Sequence, residues 1–216
     1  MFEKGQKHEL QFERIVFFSD AVFAIAITLL IIEIKVPHLE HDTASPRDFI
    51  IALARLIPNF IGYFFSFLVI GAYWVGHHKV YGMIVDWNYG LIWRNVFFLM
   101  TIAFMPFASA FFSEYFTELV PLIVYALTFS LAGILEIVQF RYAFRNGLMD
   151  PDAKAEDVSH IAWRMAVLPV AGLVAIAIAV IAKPMFAGFA FMLIPVAHQV
   201  IKRKFGKSTE REVDTE

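Results

Sequence analysis

Arg14, Ser19 and Asp20 stand at the mouth of an apolar run, Ala21-Val-Phe-Ala-Ile-Ala-Ile-Thr-Leu-Leu-Ile-Ile32, long enough with its flanks to cross a bilayer as a helix. Ionisable groups at the edge of hydrocarbon are costly, so by default they mark a functional site. Residues three and four apart share a helix face, which places Ala21, Ile25, Thr28, Leu29 and Ile32 on one stripe, apolar apart from one hydroxyl. Asp20 falls about 100° from Ala21, on a different stripe with Ala24, Ile27 and Ile31. Two kinds of chemistry follow. The Ile25, Leu29, Ile32 stripe could line a water pathway that narrow apolar rings close by dewetting, while Asp20 holds neighbouring helices. The same stripe also fits ordinary packing or lipid contact, because every membrane helix carries such stripes.

Asp20 and Arg14 are six residues apart and are not neighbours on a helix face. Their partners must come from other segments. Candidates at the same depth are Trp74, His77 and His78 in Tyr73-Trp-Val-Gly-His-His78, and Asn95 at the start of the third apolar stretch. Buried polar groups require partners, and this set can satisfy itself as a structural network. A proton relay through Asp20 and His77 is the alternative. Adjacent histidines point about 100° apart on a helix and no histidine follows four residues on, so no metal site is expected. Glu33 lies about 20 Å along the helix from Asp20, near the outer end. There it could form a carboxylate ring that attracts cations, or pair with Lys35, or simply lie at the surface. With no cysteine, no His-Glu-x-x-His and no Gly-x-Ser-x-Gly, the chain offers no catalytic set, and an enzyme is not expected.

These residues need helices to position them. Of the 216 residues, 59% are hydrophobic and 18% charged, more apolar surface than a soluble domain of this size can hide, so the fold class is an all-α integral membrane protein. Six apolar stretches can be drawn, at about 14–36, 49–77, 92–113, 119–142, 160–182 and 185–201, each near the ~20 residues a bilayer requires. Pro58, Pro106, Pro169 and Pro195 fall inside them and predict kinks. Ala171, Ala175 and Ala179 recur every four residues, a spacing for close helix packing. Residues 1–202 read as one six-helix transmembrane domain and 203–216 as a polar cytoplasmic tail, with no signal peptide at the polar N-terminus.

Charge sets the expected orientation. With six spans, one side holds both tails and the 2–3 and 4–5 loops, with Lys4, Lys7, Arg14, Lys79, Arg94, Arg141, Arg145, Lys154, Arg164, Lys202, Arg203, Lys204, Lys207 and Arg211. The other side holds only Lys35, Arg47, Arg55 and Lys183. Fourteen cations against four predict cytoplasmic N- and C-termini.

The string Arg14-x-x-x-Phe18-Ser19-Asp20 also resembles the signature of the transmembrane protein 175 family of potassium channels. The likeness continues through Ala24-Ile-Ala-Ile-Thr-Leu-Leu30, the closing Glu33-Ile-Lys-Val-Pro37 and Phe104-Met-Pro-Phe107. The resemblance implies a prokaryotic single-repeat channel in which four subunits surround one axis and the first helix of each lines the pore. It assigns Ile25, Leu29 and Ile32 to a hydrophobic constriction, Thr28 to a nearby polar layer, and Arg14, Phe18, Ser19 and Asp20 to inter-helix hydrogen bonding. K+ is then the permeant ion, no cofactor is needed, and the partners are a homotetramer, the lipid bilayer, K+ and other monovalent cations, with no nucleic acid. The cell membrane of a bacterium or archaeon is the location that the resemblance suggests. No Thr-Val-Gly-Tyr-Gly loop is present to replace a hydration shell with backbone carbonyls, so selectivity for potassium over sodium should be weak. The alternatives are a proton-conducting channel or a proton-coupled secondary transporter. The latter calls for ionisable groups near the midplane and paired repeats, whereas the charges of these spans cluster at their ends.

Overall fold

The computed structural model describes residues 2–39, 44–151, 155–187, 190 and 199, and these are helical apart from their connections. In order they form α1 (Phe2–Ile32), α2 (Pro46–Arg55), α3 (Ile57–Tyr81), α4 (Tyr89–Glu114), α5 (Leu119–Arg145) and α6 (Ala155–Ile181), followed by a single 3-10 turn, Pro184–Phe186. Among the described residues five segments are long and apolar enough to cross a membrane: Gln6–Ile32, Ile57–Tyr81, Tyr89–Glu114, Leu119–Arg145 and Ile161–Ile181. The expected sixth span, 185–201, falls almost wholly outside the described residues, as do Pro195 and the tail from 203.

Two expected boundaries are corrected. The first span is expected at about 14–36, but α1 starts at Phe2 and stops at Ile32. Its N-terminal extension is held from outside. His8 stacks on Trp87 with ring centroids 5.0 Å apart, and the Trp87 indole donates to the His8 carbonyl at 3.3 Å. Phe12, Ile15 and Val16 pack against a buried cluster that includes Val80, Tyr81, Leu91 and Phe140. The second stretch, drawn unbroken at 49–77, is two helices that part at Leu56. Pro58 explains the break, since it has no amide proton to bond the Ala54 carbonyl and its ring crowds that turn, whereas the first turn of a new helix accommodates it. The chain instead closes a tight turn, with the Leu56 amide bonding the Leu53 carbonyl at 3.0 Å. Pro106 and Pro169, by contrast, lie inside α4 and α6.

Short α2 begins where Ser45 and Asp48 bond each other at 2.7–2.8 Å, and it exposes Phe49, Ile50 and Leu53. At the other end of the bundle, α5 stops at a Schellman turn. Gly147 adopts φ +65°, a left-handed conformation open to glycine at little cost, and the Leu148 amide reaches back to the Ala143 carbonyl at 3.0 Å. The freed strand-like residues then tie to the α3–α4 loop: Val85 N to Leu148 O and Asp150 N to Met83 O, both 2.9 Å.

Packing proceeds from α1 outward. α1 packs on α3 and α4, α4 on α5, and α5 on α6. The principal core joins Phe23, Ala26 and Leu30 of α1 to Ile70 and Tyr73 of α3, Phe98 and Ile102 of α4, and Phe129 of α5. Ala171, Ala175 and Ala179 are buried within the subunit, where α6 approaches α5 closely. A side chain at Gly133 would meet the Pro169 ring at 2.7 Å, and one at Gly172 the Phe129 ring at 2.8 Å.

The Asp86 carboxylate braces the α1 extension to the α3–α4 loop, 2.7 Å from His8 Nε2. That contact, and the Trp87 amide, hold the Asp86 carboxyl below its ordinary value of 3.8. A lowered folded-state value stabilises the fold fully above the unfolded value and is lost as pH falls through the folded one. The pair is half exposed, which limits it to less than about 1 kcal/mol. Asp86→Asn should therefore melt slightly earlier than the parent at pH 7 by tryptophan fluorescence, and the gap should close below roughly pH 4.

Candidate functional site

Along α1, Ser19, Phe23, Ala26 and Leu30 are buried, at steps of four, three and four. They form the face that packs on α3 and α4. The stripe singled out above is on the other side: Ile25 is 58% exposed, Leu29 39% and Ile32 60%, and Ala21 and Thr28 are exposed with them. A single subunit thus leaves uncovered the stripe whose spacing suggested a pathway. Thr28 does not spend its hydroxyl proton outward. The Oγ1 donates back to the Ala24 or Ile25 carbonyl, 2.9 Å from each, which turns oxygen lone pairs toward the open face. Ile27, on another stripe, is partly buried against the core.

The polar residues divide into two separate links. In the first, Ser19 Oγ donates to the Ile15 carbonyl at 2.9 Å and accepts from Asn95 Nδ2 at 2.8 Å, while Asn95 Oδ1 meets His77 Nε2 at 3.0 Å. All three side chains are buried. The His77 ring lies flat against Tyr81 and Phe98, at centroid distances of 4.2 and 5.6 Å, with Phe23 at its edge. In the second, half-buried Asp20 accepts from the Trp74 indole at 2.9 Å, and Trp74 stacks on exposed His78. Both links clamp α1 to its neighbours. Arg14 and Phe18, grouped with this network above, are corrected: both are exposed, and no hydrogen bond or ion pair joins them to it among the described residues. The reason is helical phase, because Ser19 and Ile15 face inward while Arg14 and Phe18 sit about 100° off that line.

Glu33 falls just past the end of α1 and is exposed. It continues the buried-face spacing of Ala26 and Leu30 and borders a small cleft with Asn59, Tyr63 and Ser113. Lys35 bonds the Ile32 carbonyl at 3.4 Å, and no Glu33–Lys35 ion pair forms among the described residues.

The sequence reading overlooked three interior features. Ser66 bonds both Ser109 at 2.7 Å and Tyr125 at 3.0 Å, and Tyr73 donates to the Phe129 carbonyl at 2.6 Å. Most notable is Glu136, a buried carboxyl in α5 with one oxygen lacking any partner among the described residues. It borders a cavity of about 550 Å³ between α3 and α6, into which Lys79 and Arg164 also project. Glu136 stands nine residues before the end of α5, about 14 Å into the span, so charges here do not all cluster at span ends. An isolated acid within an otherwise apolar stretch was the signal available.

The described residues thus form an all-helical bundle with five segments long and apolar enough to cross a membrane, in which polar links hold α1 to α3 and α4. Residues 14–106 match the family described as "Endosomal/lysosomal potassium channel TMEM175". A potassium channel of Streptomyces collinus is 33% identical over 203 residues, covering 89% of this chain and 90% of that one. The chain therefore belongs to the TMEM175 family, which is one of ion channels and not of enzymes. A potassium channel of Chamaesiphon minutus is 38% identical over 102 residues, 47% of this chain and 49% of that one. The human endosomal/lysosomal proton channel TMEM175 is 37% identical over 83 residues, 34% of this chain and 16% of the relative. The crystal structure of a lysosomal potassium-selective channel TMEM175 homolog from Chamaesiphon minutus superposes with a TM-score of 0.74 at 29% identity, covering 88% of this chain and 98% of that one.

Asn95 bridges α1 and α3, so its loss leaves the buried His77 Nε2 unmatched and removes the bond that Ser19 accepts from another helix. Asn95→Ala should cost about 1–3 kcal/mol for the unmatched groups, read as an earlier thermal unfolding of the detergent-solubilised protein by tryptophan fluorescence. Trp74→Phe, which removes one half-exposed bond, should cost less.

Proposed function

We propose that the chain is a subunit of a weakly selective potassium channel whose pore is lined by α1. The match over nearly the whole chain to a relative named as a potassium channel carries this reading, and α1 fits it: its Ile25, Leu29, Ile32 face is left uncovered by the subunit, as are apolar faces of the other spans, while its opposite face is packed on α3 and α4. A single helix cannot enclose a pathway, so several copies around a cyclic axis must complete it, four of them in the arrangement that the family resemblance implies. The relatives named as potassium channels in Streptomyces collinus and Chamaesiphon minutus support K+ as the permeant ion. Ile25, Leu29 and Ile32 form the dewetting constriction, and the Thr28 oxygens give the stripe its polar layer. Ser19, Asp20, Trp74, His77 and Asn95 hold the helix in phase. Glu33 and a cytoplasmic placement of both termini in the cell membrane belong to the same reading, the latter on the distribution of cations.

The test is current through the reconstituted protein. A polar side chain should lower the dehydration barrier at an apolar ring, so Ile25→Asn should raise potassium current by roughly tenfold, the factor that ~1.4 kcal/mol off a barrier yields. Ile25→Phe should reduce it, and Thr28→Val should move the potassium-to-sodium ratio toward unity. Ile27→Asn, on the packed side, should disturb assembly without opening a pathway. Equal currents from well-assembled Ile25→Asn and Ile27→Asn would remove α1 from the pore lining.

Glu136 favours a second reading in which protons act on the channel, in keeping with relatives named as proton channels. The charged and titratable groups beside it are Tyr73 and Lys79 of α3 and Arg164 of α6. If its protonation is coupled to conduction, Glu136→Gln should abolish the pH dependence of the current. An unchanged pH profile in a well-assembled variant would rule that coupling out.

A further inference from the structure

The α5–α6 pair carries an organised surface of its own. On α5, exposed Leu127, Leu131, Ile134, Val138, Arg141 and Arg145 recur at steps of four, three, four, three and four, which makes them one continuous stripe. Four apolar residues lead into two cations at the end of the span. Exposed Trp163, Val170 and Leu173 of α6 run beside them, with Trp163 at the cationic end. Between the helices lies a cavity of about 530 Å³, walled by Arg141, Arg145, Phe144 and Trp163 and floored by the small Ala162 and Ala166. No acidic side chain pairs with either guanidinium among the described residues. The groove is also remote from the pore stripe, since α1 packs on α3 and α4 and shares no substantial contact with α6.

We infer that this groove binds an anionic glycerophospholipid, with its phosphate between Arg141 and Arg145 and an acyl chain along Val138, Ile134 and Leu131. Guanidinium forks match phosphate oxygens bidentately, and a basic pocket between membrane helices is chemically suited to a lipid headgroup. Tryptophan prefers the depth where headgroup meets hydrocarbon. The lengths agree as well. Leu127 to Val138 spans about 16 Å of helix, close to the ~15 Å depth of one leaflet. A protein partner would leave this unbroken apolar-to-cationic stripe, which follows the bilayer's own gradient, without explanation. The proposed orientation enters only in assigning the lipid to the cytoplasmic leaflet, so a failure of binding and a failure of the pore reading are separate events.

The test uses the intact oligomer, delipidated in detergent and offered equal dioleoyl-phosphatidylglycerol and dioleoyl-phosphatidylcholine, with retained lipid counted by native mass spectrometry. The parent should keep phosphatidylglycerol at about one per subunit and discard phosphatidylcholine. Arg141→Gln/Arg145→Gln should lose that preference, and Lys79→Gln/Arg164→Gln, which removes as many charges elsewhere, should keep it. Ala166→Phe fills the groove with both arginines intact and should also lose it, which guards against misfolding of the arginine variant. Equal retention of the two lipids by the parent would overturn the site. So would a preference that survives Ala166→Phe, because the arginines would then only attract a loose annulus.

Discussion

A helix that its own subunit leaves uncovered on one face has only the other face by which to be held. For α1 that face is narrow: Ser19, Phe23, Ala26 and Leu30, backed by α3 and α4. Apolar packing alone sets depth and distance but tolerates rotation, because one Ile or Leu stripe resembles another. The Ser19–Asn95–His77 chain removes that freedom. Its three side chains are buried, and each hydrogen bond has a direction. A turn of α1 by one residue would press the Ile25 stripe against α4 and leave Asn95 and His77 facing hydrocarbon unmatched, where polar groups are costly. The phase of the uncovered stripe thus depends on a short polar link on the far side of the helix.

The link works because its neighbourhood is stiff. His77 cannot swing, being stacked between Tyr81 and Phe98 with Phe23 at its edge. Below it, three segments distant in sequence are knotted together: the α1 extension through His8, the α3–α4 loop through Asp86 and Trp87, and the α5–α6 loop through Leu148 and Asp150. That loop can reach its partners because Gly147 ends α5 with a left-handed residue. The opposite end of the bundle is arranged differently. The chain breaks at Leu56, and α2 exposes Phe49, Ile50 and Leu53 with no buried residue of its own. An amphipathic segment of that kind suits the plane of the membrane interface.

How much of this could be read in advance depended on whether the governing signal was local. The stripe of α1, its separation from Asp20 and the all-helical membrane class follow from helical period and composition, and the structure places the stripe on the uncovered side. Asn95 and Trp74 could be named as candidate partners because few polar groups exist at that depth. Which of them would meet Ser19 and which Asp20 was not legible, since it turns on side-chain direction between helices. Arg14 and Phe18 were misplaced for a related reason: a motif contiguous in sequence is spread around the wheel, and only Ser19 and Asp20 of it turn toward neighbours. The start of α1 at Phe2 was missed because polar residues there are stabilised by a loop some eighty residues on. Pro58 carried a usable signal, but a long apolar run masked the break it imposes.

The clamp also bears on what kind of selectivity the proposed pore can have. Backbone carbonyls hold an ion by replacing its water, and their spacing can discriminate between sizes. The α1 backbone is committed to its own helix, and Thr28 directs its hydroxyl proton into that same backbone. What remains for the axis is apolar side chains and a few oxygen lone pairs. Such a surface distinguishes ions mainly by how much water they must shed to pass. Sodium binds its water more tightly than potassium, so the preference falls to potassium without a carbonyl filter, and the Thr28 lone pairs add to it by meeting the more readily stripped ion. The preference stays small, because once partly stripped both ions meet the same isoleucine and leucine wall. In the proposed pore, modest selectivity and a hydrophobic gate are two consequences of one arrangement, a regular helix turned to the axis by its apolar face.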